Sequence, residues 1–280
     1  SNASPNGGVY ISMSHLGEDK VRALFPGMVK RCADSGFDLA AGKVEVVPTA
    51  HYFMGGVVVD IDTKTQMPGL YVAGEDAGGA HGSNRLGGNG VANSTVYGGV
   101  AGDVMGRDAL KMGALREPDE GILQDEIARA CRPFAKTGGD LNSLRRDLRQ
   151  TMWDDVGVMR DAAGLKTGLQ KLEQIKRDLY EIGVEDGVRA FNLTWHDWLN
   201  LDNLIEISQV IGEAALAREN SRGAHFREDF PTEGDLDNSY FTLAKQIGDK
   251  LEVTREDVVF SIVRPGETIL PEDAPETLVS

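Results

Sequence analysis

The stretch from His51 to Gly106 combines closely spaced glycines with a few polar side chains that could bind a small anion. Twelve of the chain's 34 glycines lie between Gly69 and Gly106, and glycine at this density allows positive φ angles and close approach of the backbone to a ligand. Arg85 has a planar guanidinium that can hold a carboxylate through two charge-assisted hydrogen bonds, and His51 can supply one more donor. The pattern therefore predicts an anion-binding site formed partly by backbone.

The same residues also allow purely structural roles. His51 could cap a strand, and Arg85 could pair with Glu75 or Asp76. Glu75 follows the apolar run GLYVAG, and an acidic side chain at a strand end can accept hydrogen bonds from the ribose hydroxyls of a dinucleotide. It could equally be a solvated carboxylate. Residue types and spacing alone leave these alternatives open.

Three motifs in this stretch and one further along the chain carry a family resemblance. HYFMGG (51–56), GLYVAGE (69–75) and HGSNRLGGN (81–89) resemble the late FAD-binding segment of succinate dehydrogenase and fumarate reductase flavoprotein subunits, where the usual pattern is HYxMGG, GLYAAGE and HGANRLGGNSL. The run ALARENSRGAHFREDFP (215–231) resembles the ALxRxESRGxHxRxDxP run of their helical C-terminal domain. Order and spacing agree in both blocks.

The resemblance implies roles for five residues. In that family the histidine of HYxMGG and the arginine of NRLGGN bind substrate carboxylates, so His51 and Arg85 are expected to bind a small dicarboxylate. FAD is the implied cofactor, with Glu75 facing its ribitol or ribose hydroxyls and the backbone of Gly90 and Val91 near the flavin ring. The chain departs from the family here, because Gly90 stands where GGNSL has serine and brings no hydroxyl.

Several parts of a complete flavoenzyme have no counterpart in the sequence. No G-x-G-x-x-G fingerprint follows a predicted strand. The resemblance places the family's proton-delivering arginine, and the histidine that attaches FAD in some members, upstream of GGVYISMSHLG (7–17). The first three residues resemble the remnant of a removed expression tag. We therefore expect a C-terminal fragment that contains no catalytic residue, retains no FAD and is inactive in isolation.

Composition narrows the range of partners. The chain has 29 basic and 44 acidic residues, and its net charge of −15 argues against a nucleic-acid surface. Cys32 and Cys131 lie far apart without clustered histidines, which predicts buried thiols in a reducing compartment and neither a disulfide nor a metal site. No membrane-spanning run or signal peptide is evident. The expected location is cytoplasmic, with membrane association only through partner subunits.

Hydrophobic periodicity predicts an α/β region followed by an all-α helical bundle domain, mixed α+β overall, and the resemblance implies that the α/β region is a partial FAD-binding domain. Helices are predicted over residues 17–34, 91–105, 122–136, 141–152, 165–182 and 195–220, and strands over residues 44–47, 56–61, 69–74 and within 253–267. The predicted domains are a tag scar (1–3), the end of a capping domain with a linker (4–50), the C-terminal part of the FAD-binding domain (51–106), the helical bundle (107–232) and an extension with one short strand and a frayed end (233–280).

The resemblance predicts interconversion of succinate and fumarate by hydride transfer at flavin N5, with an iron–sulfur subunit or another electron carrier as partner. Two alternatives stay open. L-Aspartate oxidases share HYxxGG, GLYAxGE and NRLxxNSL and bind an amino-dicarboxylate, although Met54 and the LGGN run favour the dehydrogenase side. The chain could instead be a non-catalytic helical interaction module, and exposed apolar surface could make it a homo-oligomer.

Overall fold

The computed structural model describes residues 4–5, 8–47, 51–114, 117–248 and 250–268. The chain divides into two compact units, the first formed by residues 1–80 and 87–101 and the second by residues 81–86 and 102–280. The described elements are helices and two small antiparallel sheets, which confirms the mixed α+β organisation. The boundaries of the five predicted domains stay a prediction.

The first unit contains a short two-stranded sheet and two helices. Strand β1 (Val9–Ser12) pairs antiparallel with β2 (Lys43–Val46), close to the predicted strand. Helix α1 (Glu18–Leu24) buries Val21 completely against a small apolar cluster. That cluster also includes Leu39, Ala40 and Val44, and α2 (Pro26–Asp34) adds Val29 and Cys32 to its rim.

The single helix predicted over residues 17–34 is wrong, because α1 and α2 meet at Phe25 and Pro26. Phe25 has φ −125° and ψ 46°, and Pro26 is the first residue of α2. Proline lacks an N–H, and its ring disfavours the helical conformation of the residue before it. The apolar periodicity continues across this break, so periodicity alone did not reveal it.

The strands predicted over residues 56–61 and 69–74 do not form. Residues 51–80 contain isolated bridges only, one at Val57 and one at Tyr71. β-Branched residues favour a strand mainly when cross-strand neighbours pack against them. Each of these runs makes a single bridge, and their side chains stay largely exposed or half-buried.

The second unit is built on a helical bundle. Helix α3 (Asn89–Lys111) begins in the first unit and ends in the second, and it is followed by α4 (Glu120–Cys131), α5 (Leu141–Asp154), α6 (Ala162–Glu181) and α7 (Leu193–Ala217). The side chains of Asp161 and Asn192 cap α6 and α7 by accepting hydrogen bonds from backbone amides at 2.7 and 2.9 Å. Leucine-rich stripes meet in one core formed by Leu144, Leu148, Leu172, Ile175, Leu179, Trp198, Leu201 and Ile205.

A two-stranded hairpin follows the bundle. Strands β3 (Tyr240–Ile247) and β4 (Lys250–Asp257) pair antiparallel along their full length. The single strand predicted here overlaps β4 but was extended too far, since β4 ends at Asp257, and β3 was missed. The Gly248-Asp249 dipeptide is a two-residue hairpin signal that could have revealed it. The predicted fraying of residues 271–280 falls outside the described residues.

Candidate functional site

The segment that begins at His51 is fixed to two neighbouring parts of the first unit. The Phe53 amide donates to Glu75 Oε1 at 2.9 Å. Asn93 in α3 donates through Nδ2 to Tyr52 Oη at 3.3 Å and to the Gly74 carbonyl at 3.1 Å. Asn93 is buried, so these hydrogen bonds are shielded from water. His51 itself is exposed at the start of this anchored segment.

Close backbone contact at Gly56 brings HYFMGG alongside GLYVAGE and the residues after it. Val57 forms a parallel bridge with Ala77, in which the Val57 amide donates to the Asp76 carbonyl at 2.8 Å. Gly56 has φ +150°, and a Cβ at this position would lie 2.3 Å from the Asp76 carbonyl oxygen. Any residue with a side chain would push the two segments apart, which explains the second glycine of the motif.

The N-terminus of α3 offers open backbone for a cofactor. Neither Gly87 nor Gly88 has a heavy atom within 4 Å of the position that a Cβ would occupy, and Val91 is 79% exposed. Amides at the positive end of a helix attract electron-rich groups such as a phosphate or a flavin edge. Glu75 adds an exposed carboxylate of the kind that binds hydroxyl groups. These residues therefore fit FAD.

Arg85 lies in the segment His81–Leu86, the Arg85 loop, which belongs to the second unit. Arg85 is partly buried, and its Nη1 donates to the Leu86 carbonyl at 3.1 Å. The Ser83 carbonyl accepts from the Ala224 amide at 3.0 Å. Ala224 belongs to the four residues Arg222–His225, the Gly223 turn, so the SRGAH motif supports the loop that carries the predicted substrate-binding arginine.

Four of the five predicted site residues, His51, Glu75, Gly90 and Val91, belong to the first unit, whereas Arg85 belongs to the second. The structure brings the His51 segment together with Glu75 through the Phe53 hydrogen bond. The alternative that His51 caps a strand is not supported, because residues 51–56 precede no strand. Binding of one ligand by both His51 and Arg85 stays a prediction.

A cluster of cationic side chains surrounds the Gly223 turn, with Arg227 buried and the others half-buried. Arg227 is 1% exposed, forms a bidentate pair with Asp229 and donates to three carbonyls at the end of α7. This pair lowers the pKa of Asp229 to about 2. Arg218 joins this cluster from the ALARENSRGAHFREDFP run itself, whereas Arg160 joins it from a part of the sequence with no recognisable motif. Only the fold reveals their proximity.

His225 lies between two of these arginines in a defined tautomer. Its Nδ1 faces Arg160 Nη1 at 2.9 Å and its Nε2 faces the Arg218 carbonyl at 3.3 Å. A guanidinium can only donate and a carbonyl can only accept, so the neutral ring with its proton on Nε2 satisfies both contacts. Burial, with smaller contributions from Arg160, Arg218 and Arg227, lowers the pKa of His225 to about 4.

We expect His225 to make stability depend on pH. The folded-state pKa of about 4 lies below the ordinary value of 6.5, so between these pH values the unfolded chain binds a proton that the folded chain does not. The free energy of unfolding therefore falls as the pH falls from 6.5 towards 4, by at most about 3 kcal/mol, and His225 contributes no slope above 6.5.

Urea unfolding at several pH values, compared between the wild type and His225→Gln, measures this dependence. The variant is expected to lose the part of the slope between pH 6.5 and 4, because glutamine does not titrate. An NMR titration of the His225 ring checks the cause directly. A midpoint near 6.5 in the folded protein would contradict the buried neutral imidazole.

An open groove of about 560 Å³ lies between α6, α7 and the hairpin. Its walls carry side chains of both charges, among them Glu173, Lys176 and Arg177, and none of the predicted site residues lines it. Salt bridges such as that between Arg177 and Glu173 already pair some of these charges. The groove therefore lacks the unbalanced positive charge that a dicarboxylate would need.

Three further observations on the described residues concern the cysteines, metal binding and membrane crossing. Cys32 and Cys131 are free thiols, and both are partly exposed, so the expectation of buried thiols is wrong. Among the described residues no group of three or more histidine, cysteine or acidic side chains could hold a metal ion. Across the same residues no helix combines the length and apolar character that a bilayer crossing requires.

Comparison with known proteins agrees with the two blocks of motifs. Residues 2–91 match the FAD binding domain family, and residues 145–270 match the family described as fumarate reductase flavoprotein C-term. A fumarate reductase (CoM/CoB) subunit of Methanothermobacter marburgensis is 34% identical over 227 residues, which cover 81% of this chain and 41% of that protein. L-Aspartate oxidase 1 of Ralstonia nicotianae is 33% identical over 227 residues, covering 80% of this chain and 40% of that protein.

A solved quinol fumarate reductase chain from E. coli superimposes with a TM-score of 0.79 at 28% identity, covering 96% of this chain and 46% of the other. The FAD-binding match and the fumarate reductase flavoprotein C-term match together define an FAD-dependent flavoprotein. The chain belongs to the succinate dehydrogenase and fumarate reductase flavoprotein family. It spans less than half the length of each of these three relatives.

Proposed function

We propose that this chain contributes the substrate-binding histidine and arginine of an FAD-dependent enzyme that interconverts succinate and fumarate. The observation that carries the proposal is the hydrogen bond from the Phe53 amide to Glu75. It ties the motif expected to bind substrate to the motif expected to bind FAD. Hydride transfer needs the reacting atoms of substrate and cofactor within a few ångströms, so a fixed connection between the two motifs suits this chemistry.

The proposed roles follow from the chemistry of each side chain. Arg85 would hold one substrate carboxylate through its guanidinium fork, and His51 would donate a hydrogen bond to the other. A cation at the carboxylate withdraws electron density from the adjacent C=C bond of fumarate and stabilises the charge that develops as a hydride arrives. FAD, once reduced by the enzyme's electron donor, would supply that hydride from N5.

The remaining residues of the site would orient the cofactor. Glu75 would use its second carboxylate oxygen to accept hydrogen bonds from ribitol or ribose hydroxyls, because Oε1 already accepts from Phe53. The backbone at Gly90 and Val91, in the first turn of α3, would lie along the flavin ring. The serine found in the family pattern is absent, so only backbone contacts are available at Gly90.

Turnover is proposed to require more than this chain contains. The chain spans about 41% of the fumarate reductase protein from Methanothermobacter, and its sequence has no dinucleotide fingerprint. We propose that the isolated chain neither retains FAD nor reduces fumarate, and that the complete enzyme passes electrons through an iron–sulfur subunit or another carrier. Purifying the chain with added FAD tests this, and a yellow chain that turns over fumarate would contradict it.

A second candidate is L-aspartate oxidation, favoured by the 33% identity to the Ralstonia enzyme. The substrates of both reactions are small dicarboxylates, and aspartate differs from succinate by its amino group. Met54 of HYFMGG, where the oxidase pattern does not specify methionine, favours succinate and fumarate.

A non-catalytic role as a helical interaction module is the third candidate, and turnover of any of these substrates would exclude it.

We expect the assembled flavin-loaded enzyme to oxidise succinate and reduce fumarate in dye-linked assays. L-Aspartate should give no comparable rate, since its ammonium group would lie near the cationic Arg85 and the one acidic side chain of the proposed site, Glu75, is assigned to the hydroxyls of FAD. The measurement is kcat/KM for the three substrates under identical conditions. Turnover of L-aspartate alone would overturn the assignment in favour of the oxidase.

A further inference from the structure

The Gly223 turn contacts the Arg85 loop through backbone on both sides. The Ala224 amide donates to the Ser83 carbonyl at 3.0 Å. Gly223 has φ +55°, and a Cβ there would lie 2.3 Å from the Ser83 carbonyl oxygen and 2.9 Å from Asn84 Cβ. Backbone atoms cannot swing aside as the end of a long side chain can. A side chain at residue 223 must therefore displace either the turn or the loop.

The base of the turn is held by many hydrogen bonds. Arg222 and His225 exchange both backbone hydrogen bonds, at 2.8 and 3.0 Å. The Arg222 guanidinium donates to the Glu233 and Asp235 carbonyls, each at 2.6 Å, and to Ser239 Oγ at 2.7 Å. The His225 ring adds its contacts with Arg160 and with the Arg218 carbonyl. The base of the turn is thus fixed to three other segments of the second unit.

We propose that the Gly223 turn is a positioning element for Arg85. The turn fixes the position of the Arg85 loop so that the guanidinium can bind a substrate carboxylate. This inference rests on the proposed function of Arg85. Ser83 lies two residues before Arg85, so a shift of about 1 Å at its carbonyl reaches the guanidinium with little loss. Misplacement of a binding group by that amount can lower a rate by about a hundredfold.

The test compares Gly223→Ala with Gly248→Ala in the assembled enzyme. Gly248, in the loop between β3 and β4, has φ +58° and no heavy atom within 4 Å of its Cβ position. Both variants therefore carry the same backbone strain, and only Gly223→Ala adds a collision with the Arg85 loop. The readouts are kcat/KM for fumarate and the rate at which trypsin cuts after Arg85, relative to its other sites.

We expect Gly223→Ala to lower kcat/KM for fumarate by about tenfold to a hundredfold, mainly through KM, and to speed cleavage after Arg85. Gly248→Ala should match the wild type in both readouts. If the two variants behave alike while Arg85→Lys still loses activity, the positioning role is overturned and the proposed function survives. If cleavage accelerates but neither Gly223→Ala nor Arg85→Lys changes fumarate turnover, the proposed function of Arg85 is overturned.

One further readout requires no substitution. The Ala224 amide should exchange slowly with deuterium in the unaltered enzyme, because it donates to Ser83. Exchange at the rate of an open loop would overturn the positioning role even if Gly223→Ala proved too unstable to purify.

Discussion

Arg85→Lys is expected to lower kcat/KM for fumarate by roughly a hundredfold to a thousandfold in the assembled enzyme. Lysine keeps the positive charge but replaces a planar fork with a single point donor, so the bidentate grip on the carboxylate is lost. A loss of about 3–4 kcal/mol of transition-state stabilisation corresponds to that change in rate, at about 1.4 kcal/mol per tenfold. Steady-state kinetics with a reduced dye measures it.

Arg107→Lys is the matched control, because Arg107 is exposed on α3 and has no proposed role. It should stay within about twofold of the wild type. Wild-type kinetics in Arg85→Lys would exclude the guanidinium from substrate binding. Addition of guanidinium ion to Arg85→Ala should restore part of the lost rate if the missing group is the fork itself.

A double-mutant cycle tests whether His51 and Arg85 bind the same ligand. Residues that bind the same small molecule are coupled, whereas distant independent sites add within about 0.5 kcal/mol. We expect the combined loss in His51→Asn with Arg85→Lys to differ from the sum of the single losses by more than this margin. Strict additivity would contradict binding of one dicarboxylate by both side chains.

The sequence predicted those parts of the molecule whose signals are local. Glycine density and the placed polar residues pointed to the stretch around Glu75, and the structure joins that residue to the HYFMGG segment. The long helices α5, α6 and α7 were predicted because their apolar stripes repeat over several turns. Their starts also follow cap residues, Asp161 and Asn192 among them, that the sequence displays directly.

Features that depend on distant parts of the chain were missed or mispredicted. The VVVDID run has high β-propensity, yet it makes one bridge at Val57 because strand formation depends on neighbours that a local pattern does not specify. Arg160 was missed because the fold, not a motif, brings it to His225. The contact of Ala224 with Ser83 likewise joins segments far apart in sequence, so no spacing rule could have predicted it.

Arg227→Met is expected to lower the free energy of unfolding by about 2–4 kcal/mol, because three carbonyls lose a fully buried charged donor while the exposed Asp229 carboxylate returns to water. Arg227 is 1% exposed, and its guanidinium donates to the carbonyls of Ala215, Leu216 and Arg218 at 2.8, 3.0 and 3.1 Å. Methionine fills a similar volume but donates nothing, so three carbonyls at the end of α7 and the Asp229 carboxylate lose their donor. Urea unfolding followed by helical circular dichroism measures the change.

Two comparisons separate this effect from simple loss of charge. Arg177→Met removes an exposed arginine that pairs with Glu173 one turn away, and it should cost no more than about 0.5 kcal/mol. Arg227→Lys should recover little of the lost stability, because a single ammonium cannot reach Asp229 and three carbonyls in different directions at once. If Arg227→Lys proved as stable as the wild type, the positive charge alone would explain the stabilisation by Arg227, and the forked geometry of the guanidinium would be irrelevant.

The same network holds the base of the Gly223 turn, so Arg227→Met should also speed trypsin cleavage after Arg85, whereas Arg177→Met should not.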